Sequence, residues 1–369
     1  MKILLGVTGI GLGHATRSHA IVNELKANSR LKVVTWGNAY DYYTNEGMKV
    51  EKVPSVDYKG DFAFSMLYNV LESFKEPKTF GKGYKKFREI ADEFRPDIIF
   101  SDSEPNSFFY SYKSVLPSYT LMNVITVIDN FSKIPKKYVT RDLKLQRLTV
   151  SRLVSFMLRR GSRFYVPAFE TKLKFIDKVK YTDLIVRHKP FELPALKKIR
   201  EKNDLPDEYY YVHVGGADIE KPLFEIFRRT LPKFEDKFFV VSSNYATKKE
   251  TVEGNMKIIP FVNNADEIIK ASKGVICPAG HTSISENIVF RKPMLVIPIR
   301  NHVEQMVNAS IVKSEGFGGA CFTDRKISVS VLKLHLDEFF SKEDEFSENL
   351  KSSNFRGNGA EQIAKDMLK

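Results

Sequence analysis

The fold is decided by the stretch from Val275 to Gly316, which reads VICPAGHTSISENIVFRKPMLVIPIRNHVEQMVNASIVKSEG. Its apolar start, Val275 to Cys277, predicts a buried strand that Pro278 ends, and a helix is expected to open at His281. A second apolar run, Pro293 to Ile297, predicts a parallel neighbour that leads into a polar loop. Ligands of open α/β sheets bind beyond the carboxyl ends of the strands, so both loops are expected to face one site.

The same alternation of strands and helices continues outward from this stretch. Strand Ile3 to Thr8 followed by helix Ala15 to Lys26 starts the rhythm in the first half, and a strand at Tyr209 to Val214 restarts it in the second. Such alternation indicates parallel sheets and an α/β class. The predicted domains are residues 1–190, 205–345 and 346–369, the last being a C-terminal helix that packs back toward the first domain.

The charge balance favours an anionic partner. Lys and Arg number 58 against 45 Asp and Glu, which gives a net charge of +13. The positive charge would attract nucleotide phosphates, nucleic acid or acidic lipid headgroups. A charge that serves only the solubility of the protein is the alternative. Nucleic acid is disfavoured because no recognised module appears. The two cysteines, Cys277 and Cys321, do not form a disulfide framework, so the sequence predicts a cytoplasmic protein.

A glycine-rich turn with a histidine follows the first strand: Gly9-Ile10-Gly11-Leu12-Gly13-His14. The dinucleotide fingerprint would require glycine where His14 stands, so a dehydrogenase is disfavoured. A tight strand-to-helix turn explains the glycines equally well. His14 itself is a candidate general base, because imidazole exchanges protons near neutral pH. Asp102 or Glu104, which follow a strand at the same sheet edge, is the candidate carboxylate that orients it.

Polar residues of the second half gather in three loops. Gly215 and Gly216 follow a strand, where backbone amides can contact phosphate. Ser283 and Glu286 have the spacing of a capping box, which would explain both residues structurally. As a functional alternative, Glu286 could accept ribose hydroxyls. The pair Glu304-Gln305 could bind sugar hydroxyls, and the loops together favour a nucleotide-sugar pocket.

Two basic stretches of the first half mix apolar and cationic side chains, Phe62 to Phe87 and Phe131 to Arg163. A basic amphipathic helix can lie on an anionic membrane surface with its apolar side inserted. A helix that packs on the core and exposes a basic face is the alternative. No apolar run reaches the roughly 18 residues of a membrane span, so any membrane contact is predicted to be peripheral.

The second half also resembles a known family. The resemblance is carried by Gly280-His281-Thr282-Ser283-Ile284-Ser285-Glu286, Lys292-Pro293, Pro298, Glu304-Gln305 and Asn308-Ala309. This pattern is similar to the C-terminal domain of family 28 glycosyltransferases, which include the lipid II N-acetylglucosaminyltransferase and diacylglycerol glycosyltransferases. The loop Gly11 to His14 looks like that family's N-terminal glycine-histidine loop. The resemblance implies a GT-B fold, two Rossmann-like doubly wound domains facing an interdomain cleft. It makes residues 1–190 the acceptor domain and residues 205–345 the nucleotide-sugar donor domain.

Residue roles follow from the resemblance by position. Phe261 and Val262 would line the base pocket, Thr282 and Ser283 would contact the diphosphate, and Glu286 would bind the ribose. The implied donor-binding set is Gly13, Gly215, Gly216, Phe261, Val262, Gly280, His281, Thr282, Ser283, Glu286, Glu304 and Gln305. The chain departs from the family at Ala217-Asp218, where relatives tend to have Ser-Gln, and at Pro278, where plant enzymes place a histidine.

The predicted function is transfer of a hexose-type sugar from a nucleoside diphosphate sugar, with UDP-sugar as the favoured donor, to an acceptor hydroxyl. An inverting displacement without an essential metal or other cofactor is expected, with His14 as base. A lipid-linked or polyprenyl-linked acceptor would place the protein on the inner face of the cell membrane as a peripheral protein. The alternatives are a nucleotide-sugar epimerase of the same fold and a non-catalytic sugar-nucleotide binder.

Overall fold

The computed structural model describes residues 1–55, 77–160, 163–170, 173–214, 220–243, 249–262, 265–323 and 327–369. Gly215, Gly216 and the departure at Ala217-Asp218 lie outside these ranges, and so does the first part of the stretch from Phe62 to Phe87. The chain divides into two units. The first comprises residues 1–131, 141–187 and 358–369, and the second comprises 132–140 and 188–357.

The first unit is built on a sheet whose described strands are all parallel and run in the order β3-β2-β1-β4-β5-β6-β7. The strands are β1 (Lys2–Val7), β2 (Arg30–Thr35), β3 (Val50–Lys52), β4 (Ile98–Asp102), β5 (Ser118–Leu121), β6 (Arg163–Pro167) and β7 (Val179–Thr182). The helices described between them are α1 (Gly13–Leu25), α2 (Gly37–Asn45), α3 (Pro77–Phe94), α4 (Pro105–Lys113), α5 (Val124–Asn130) and α6 (Arg141–Arg160). Ile3 and Leu5 of β1 join one core cluster and Leu4 joins another. A central parallel strand is thus buried on both faces.

The second unit repeats this architecture. Its described strands run in the order β10-β11-β9-β8-β12-β13-β14, and only β10 is antiparallel to its neighbour. The strands are β8 (Tyr210–His213), β9 (Phe239–Ser243), β10 (Thr251–Glu253), β11 (Met256–Pro260), β12 (Gly274–Pro278), β13 (Met294–Ile297) and β14 (Gly318–Ala320). The helices are α7 (Leu196–Asn203), α8 (Glu220–Thr230), α9 (Asp266–Ala271), α10 (His281–Val289), α11 (Val303–Ser314), α12 (Val329–Ser341) and α13 (Glu343–Ser352).

The order of the parallel strands reverses once in each sheet, between β1 and β4 in the first and between β8 and β12 in the second. At such a switch point neighbouring connections leave toward opposite faces, and a crevice opens beyond the strand ends. The loop that contains His14 follows β1, and the loop that contains Gly280 follows β12. The predicted catalytic and donor loops therefore each lie at a switch point of their own sheet.

The glycine-rich turn after β1 has structural reasons for two of its glycines. A Cβ atom on Gly9 would lie 2.0 Å from the carbonyl oxygen of Trp36, which no side chain could tolerate. Gly11 has a φ of 64°, in the left-handed region that glycine adopts without a steric penalty. The tight-turn explanation of these glycines is therefore sufficient, and the phosphate-binding explanation is not needed for them.

The C-terminal prediction differs from the structure. The sequence predicts one helix over residues 346–369, but α13 ends at Ser352 in the second unit and a separate helix, α14 (Gly359–Met367), belongs to the first. Ile363 and Met367 of α14 share a core cluster with Ile21 of α1. Gly359 at the start of α14 has no room for a side chain, because a Cβ atom there would lie 2.1 Å from the carbonyl oxygen of Asp183.

The region expected to link the two domains, about 190–205, is also structured. It contains α7, and Lys202 of that helix forms a salt bridge of 2.9 Å with Glu267. This helix packs against α9, and the second unit begins at His188 rather than after residue 205. The prolines of the region 190–205 indicate a domain boundary. The contacts of α7 with α9 join residues distant in sequence, so local composition cannot predict them.

Candidate functional site

The first site is positioned by the pairing of β1 with β4. Val7 lies opposite Asp102 at the carboxyl ends of these strands. The chain then leaves β1 through the glycine turn and enters α1 at Gly13, so His14 lies in the first turn of α1. Residues three and four positions further along a helix lie on the same face, which places Arg17 and Ser18 beside His14.

These side chains converge on the carboxylate of Asp102. The distance between His14 Nδ1 and Asp102 Oδ1 is 2.8 Å. Arg17 donates from Nε to Oδ2 at 2.9 Å and from Nη2 to Oδ1, and Ser18 Oγ donates to Oδ2 at 2.7 Å. Asp102 is completely buried, and Arg17 is only 4% exposed. The cluster is therefore an ion pair enclosed by protein, with the imidazole at its outer side.

The electrostatics of the cluster keep Asp102 ionised. Burial alone would raise the pKa of this carboxyl, but the charge of Arg17 and the contacts of His14 outweigh burial and hold the pKa well below its usual range. A carboxylate can only accept hydrogen bonds, so we assign the Nδ1–H tautomer to His14. Nε2 then carries the lone pair, and that is the atom through which the ring can accept a proton.

Glu104 has a different role from Asp102. It is the N-cap of α4, where its side chain accepts from the backbone N–H groups of Asn106 at 3.1 Å and Ser107 at 2.6 Å. Burial raises its pKa, although these hydrogen bonds oppose the rise. Of the two candidate carboxylates, only Asp102 contacts His14 in the described structure.

Replacing Glu104 with alanine is expected to destabilise the protein by about 1–2 kcal/mol, because two buried amides lose their acceptor. Glutamine keeps an acceptor oxygen and should cost less. Since the folded pKa is raised, the contribution of Glu104 to stability is full below about pH 4.3 and declines as the pH rises through the folded pKa. Urea denaturation across pH 4–8 measures this. A large loss of turnover in the folded glutamine variant would show that Glu104 is more than a cap.

The second site is organised by the start of α10. Gly280 is the N-cap and makes no side-chain cap bond, so Ser283 occupies the third helical position. The predicted capping box of Ser283 with Glu286 is therefore wrong, because the helix begins three residues earlier than the box requires. Thr282 and Ser283 are half-buried in the first turn. The amides and dipole of a helix N-terminus favour anions at this place.

Glu286 lies one turn further along α10, close to the two central strands of this sheet. Its charge adds to the effect of burial in raising the pKa of Tyr211 on β8 and that of Cys277 on β12, the latter to about 12. The thiol of Cys277 also accepts a weak hydrogen bond of 3.6 Å from Asn287. The carboxylate of Glu286 thus lies at the switch point between β8 and β12, half-buried.

The loop after β13 lies beside the loop after β12. Asn308 of α11 donates to the carbonyl oxygen of Ala279 at 3.1 Å. Gln305, predicted to hold sugar, uses its Oε1 to accept from the backbone N–H of Ile299 at 3.0 Å and so closes its own loop. His302 caps α11 by accepting from the Gln305 backbone at 3.3 Å, and burial lowers its pKa.

The other predicted donor residues of the second unit that the structure describes lie at the same carboxyl edge of its sheet. Phe261 and Val262 directly follow β11 and are half-buried. Gly280 and His281 start α10, and Glu304 lies in the first turn of α11. Gly13 belongs to the first unit, at the start of α1. It is therefore grouped with His14 rather than with the other donor-binding candidates.

Sequence reasoning missed three residues of these sites: Arg17, Ser18 and His302. Arg17 was hidden because a cation on an amphipathic helix usually faces solvent. The available signal was its spacing, since it follows His14 by one helical turn. His302 precedes Glu304 in a loop, where a capping histidine has no distinctive pattern.

Comparisons with known proteins identify the family and the fold of the chain. A family profile described as glycosyl transferase family 1 matches residues 1–339. An uncharacterized glycosyltransferase of Methanosarcina acetivorans is 25% identical over 337 residues, covering 86% of this chain and 85% of the relative. The UDP-N-acetylglucosamine–N-acetylmuramyl-(pentapeptide) pyrophosphoryl-undecaprenol N-acetylglucosamine transferase 3 of Bacillus thuringiensis is 23% identical, covering 96% of each chain.

The solved structure of Phytolacca americana UGT2, complexed with UDP-2fluoro-glucose and pterostilbene, superposes over 100% of both chains. Its TM-score is 0.68 at 11% sequence identity, which is a likeness of fold. The two Rossmann-like units and this likeness confirm the predicted GT-B fold. The family match confirms the predicted glycosyltransferase class. The chain belongs to glycosyl transferase family 1 and is an enzyme. The Bacillus relative is a transferase of the kind that the sequence resemblance predicted.

Proposed function

We propose that this glycosyltransferase moves a hexose-type sugar from a UDP-sugar to a hydroxyl group of a lipid-linked acceptor, with His14 as the base. The observation that carries the proposal is the 2.8 Å contact of His14 Nδ1 with the buried carboxylate of Asp102. That contact leaves Nε2 as the proton acceptor at the carboxyl edge of the first sheet. The base belongs to the first unit, and the donor-binding residues belong to the second.

In the proposed step, His14 Nε2 takes the proton of the acceptor hydroxyl while its oxygen attacks the anomeric carbon of the donor. The bond between that carbon and the diphosphate breaks, and the nucleoside diphosphate leaves. A single displacement of this kind inverts the anomeric centre. General base catalysis of such a step contributes about 10²–10⁴-fold to the rate.

The leaving diphosphate would be stabilised by the first turn of α10. Thr282 and Ser283 supply hydroxyls and backbone amides at the positive end of the helix dipole. Fixed dipoles that face the developing charge lower the barrier without reorganisation. No step of the proposal requires a metal ion.

The donor assignment rests on Glu286 and on the relatives. A carboxylate can accept from both hydroxyls of a ribose, and Glu286 follows the proposed diphosphate site by one turn of α10. The name of the Bacillus relative specifies a UDP-sugar donor, and the Phytolacca structure contains one. We therefore propose UDP-sugar as the donor for this chain.

Replacing Glu286 with alanine is expected to weaken binding of uridine diphosphate roughly tenfold or more, since hydrogen bonds to a charged group contribute about 1.5–3 kcal/mol. Calorimetric titration with uridine, guanosine and thymidine diphosphates measures this and identifies the base. Alanine at Glu338, an exposed carboxylate on α12, is the matched control and should bind like the native protein. Equal affinity of the Glu286 variant would remove this residue from the donor site.

The lipid-linked acceptor is proposed from the exposed face of α6. Leu143, Val150, Val154 and Met157 form its buried side. On the opposite side Leu145 is 63% exposed and Leu148 is 48% exposed. Arg141, Arg152 and Arg159 follow the same helical spacing, so cations flank the two leucines. Apolar side chains with flanking cations fit an anionic membrane surface, where a lipid-linked acceptor resides.

Changing Leu145 and Leu148 together to serine is expected to lower partitioning onto anionic vesicles roughly tenfold, because two inserted apolar side chains are lost. Serine at Leu334, which is 66% exposed on α12, is the matched control and should have no effect. Sedimentation with vesicles at low and high salt provides the measurement. Among the described residues, the structure has no helix that meets both the length and the apolarity needed to cross a bilayer. Equal sedimentation of the two variants would contradict docking through α6.

A further inference from the structure

The buried ion pair of Arg17 and Asp102 contacts Nδ1 of His14 from two sides. Arg17 contacts both oxygens of the carboxylate through Nε and Nη2, and the same Nη2 lies 2.9 Å from His14 Nδ1. Nδ1 therefore lies between a group that can only accept and a group that can only donate. The hydrogen-bonding state of the imidazole is decided by how these two neighbours are arranged.

We propose that Arg17 is a positioning residue: it saturates and neutralises Asp102, so that this carboxylate holds His14 in the Nδ1–H tautomer but does not favour its protonation. The consequence for turnover rests on the proposed function. The tautomer and the protonation of His14 are properties of the chain itself and do not depend on that function.

Saturation of the carboxylate follows from counting donors. A carboxylate offers about four lone-pair sites. Within the described residues, three side-chain donors reach the Asp102 carboxylate, namely Arg17 Nε, Arg17 Nη2 and Ser18 Oγ, and His14 Nδ1 lies 2.8 Å from Oδ1. The two Arg17 contacts form a bidentate clamp that fixes the plane of the carboxylate, and Ser18 occupies a further site on Oδ2. The site left on Oδ1 can be satisfied by a proton on His14 Nδ1.

Neutralisation follows from charge and burial. An isolated buried carboxylate beside an imidazole would strongly favour the imidazolium, which cannot act as a base. Arg17 is 4% exposed and contacts the same carboxylate, so its positive charge offsets the negative charge at the distance of His14. Within the described residues, the ionisable groups that interact with Asp102 are Arg17 and His14 from α1 and Tyr43 from α2. Burial raises the pKa of Tyr43, and the charge of Asp102 raises it further, so Tyr43 stays neutral.

The test is ¹⁵N NMR of the full chain with labelled histidine, followed from pH 5 to 9, with His14→Gln identifying the His14 signals among the 7 histidines. In the native protein we expect the neutral ring of His14 to carry its proton on Nδ1. In Arg17→Gln, the carboxylate keeps its charge but loses the neighbouring cation, so we expect His14 to become protonated at a higher pH than in the native protein. Arg17→Lys keeps the charge but loses the clamp, so its titration should stay near the native one while the tautomers mix.

A native ring protonated on Nε2 would overturn the proposal, and so would native titration of His14 in Arg17→Gln. If Arg17→Gln does not fold, the tautomer in the native chain and in Arg17→Lys still decides the question. The acid limb of the pH–rate profile of kcat/KM should move to higher pH in Arg17→Gln. Loss of activity with unchanged pH dependence would contradict the charge role. NMR shifts as expected without any transferase activity would instead reject the proposed function alone.

Discussion

Replacing His14 with alanine is expected to lower kcat by about 10²–10⁴-fold while leaving donor affinity unchanged. The reason is geometric, because Asp102 occupies Nδ1 of His14 and leaves Nε2 for the acceptor proton. Donor affinity should be unaffected because the proposed donor residues belong to α10 and α11 of the second unit. Initial rates and calorimetric donor titrations on the same preparation measure both quantities.

His19 provides the matched control on the same helix. Its Nδ1 lies 2.9 Å from the hydroxyl of Tyr42, away from the Asp102 cluster. Alanine at His19 is therefore expected to keep kcat within a few-fold of the native value. A similar fall in both histidine variants would indicate a general disturbance of α1 rather than loss of a base.

Replacing Asp102 with alanine is expected to have the largest effect on stability, about 3–5 kcal/mol. The change leaves the guanidinium of Arg17 buried with no counter-ion, and the free energy of that uncompensated charge is the main penalty. Urea denaturation of the variant measures it. Changing Arg17 to methionine as well should recover much of the loss, because the double variant buries no charge.

The pH dependence of this effect has a defined sign. The folded pKa of Asp102 is lowered, so its contribution to stability is full above its unfolded pKa of about 3.9 and is lost as the pH falls toward the folded value. The stability difference between native protein and Asp102→Asn should therefore be constant from pH 7 to about 5 and shrink under more acid conditions. Alanine at Asp97, an exposed carboxylate that accepts from the Lys2 backbone at 2.7 Å, should cost far less.

Much of the architecture could be predicted from local pattern. The stretch from Val275 to Gly316 contains β12, α10 and β13 in the predicted order, because apolar runs and Pro278 mark the boundaries of buried strands. The helix α11 begins at Val303, where the sequence predicts only a polar loop. Contacts distant in sequence could not be predicted. Residues 132–140 belong to the second unit, where Tyr138 stacks on Phe322 with ring centroids 5.5 Å apart. No local pattern specifies that partner.

The choice between Asp102 and Glu104 shows why the site was only partly predictable. In a regular strand these two residues would point to the same side, so spacing cannot separate them. Ser103 between them has a φ of 55°, which breaks the alternation. Asp102 consequently contacts α1, whereas Glu104 caps α4. A serine in the left-handed region is uncommon, and the neighbouring residues do not predict this backbone conformation.

The most direct test of the central claim is release of uridine diphosphate from a UDP-sugar by the native protein and by His14→Ala, with and without a lipid extract as acceptor. We predict release by the native protein only when acceptor is present, with the sugar recovered on the lipid. His14→Ala should bind the donor equally and release almost nothing. Native rates in the His14 variant, or conversion of the donor sugar without acceptor, would contradict the account.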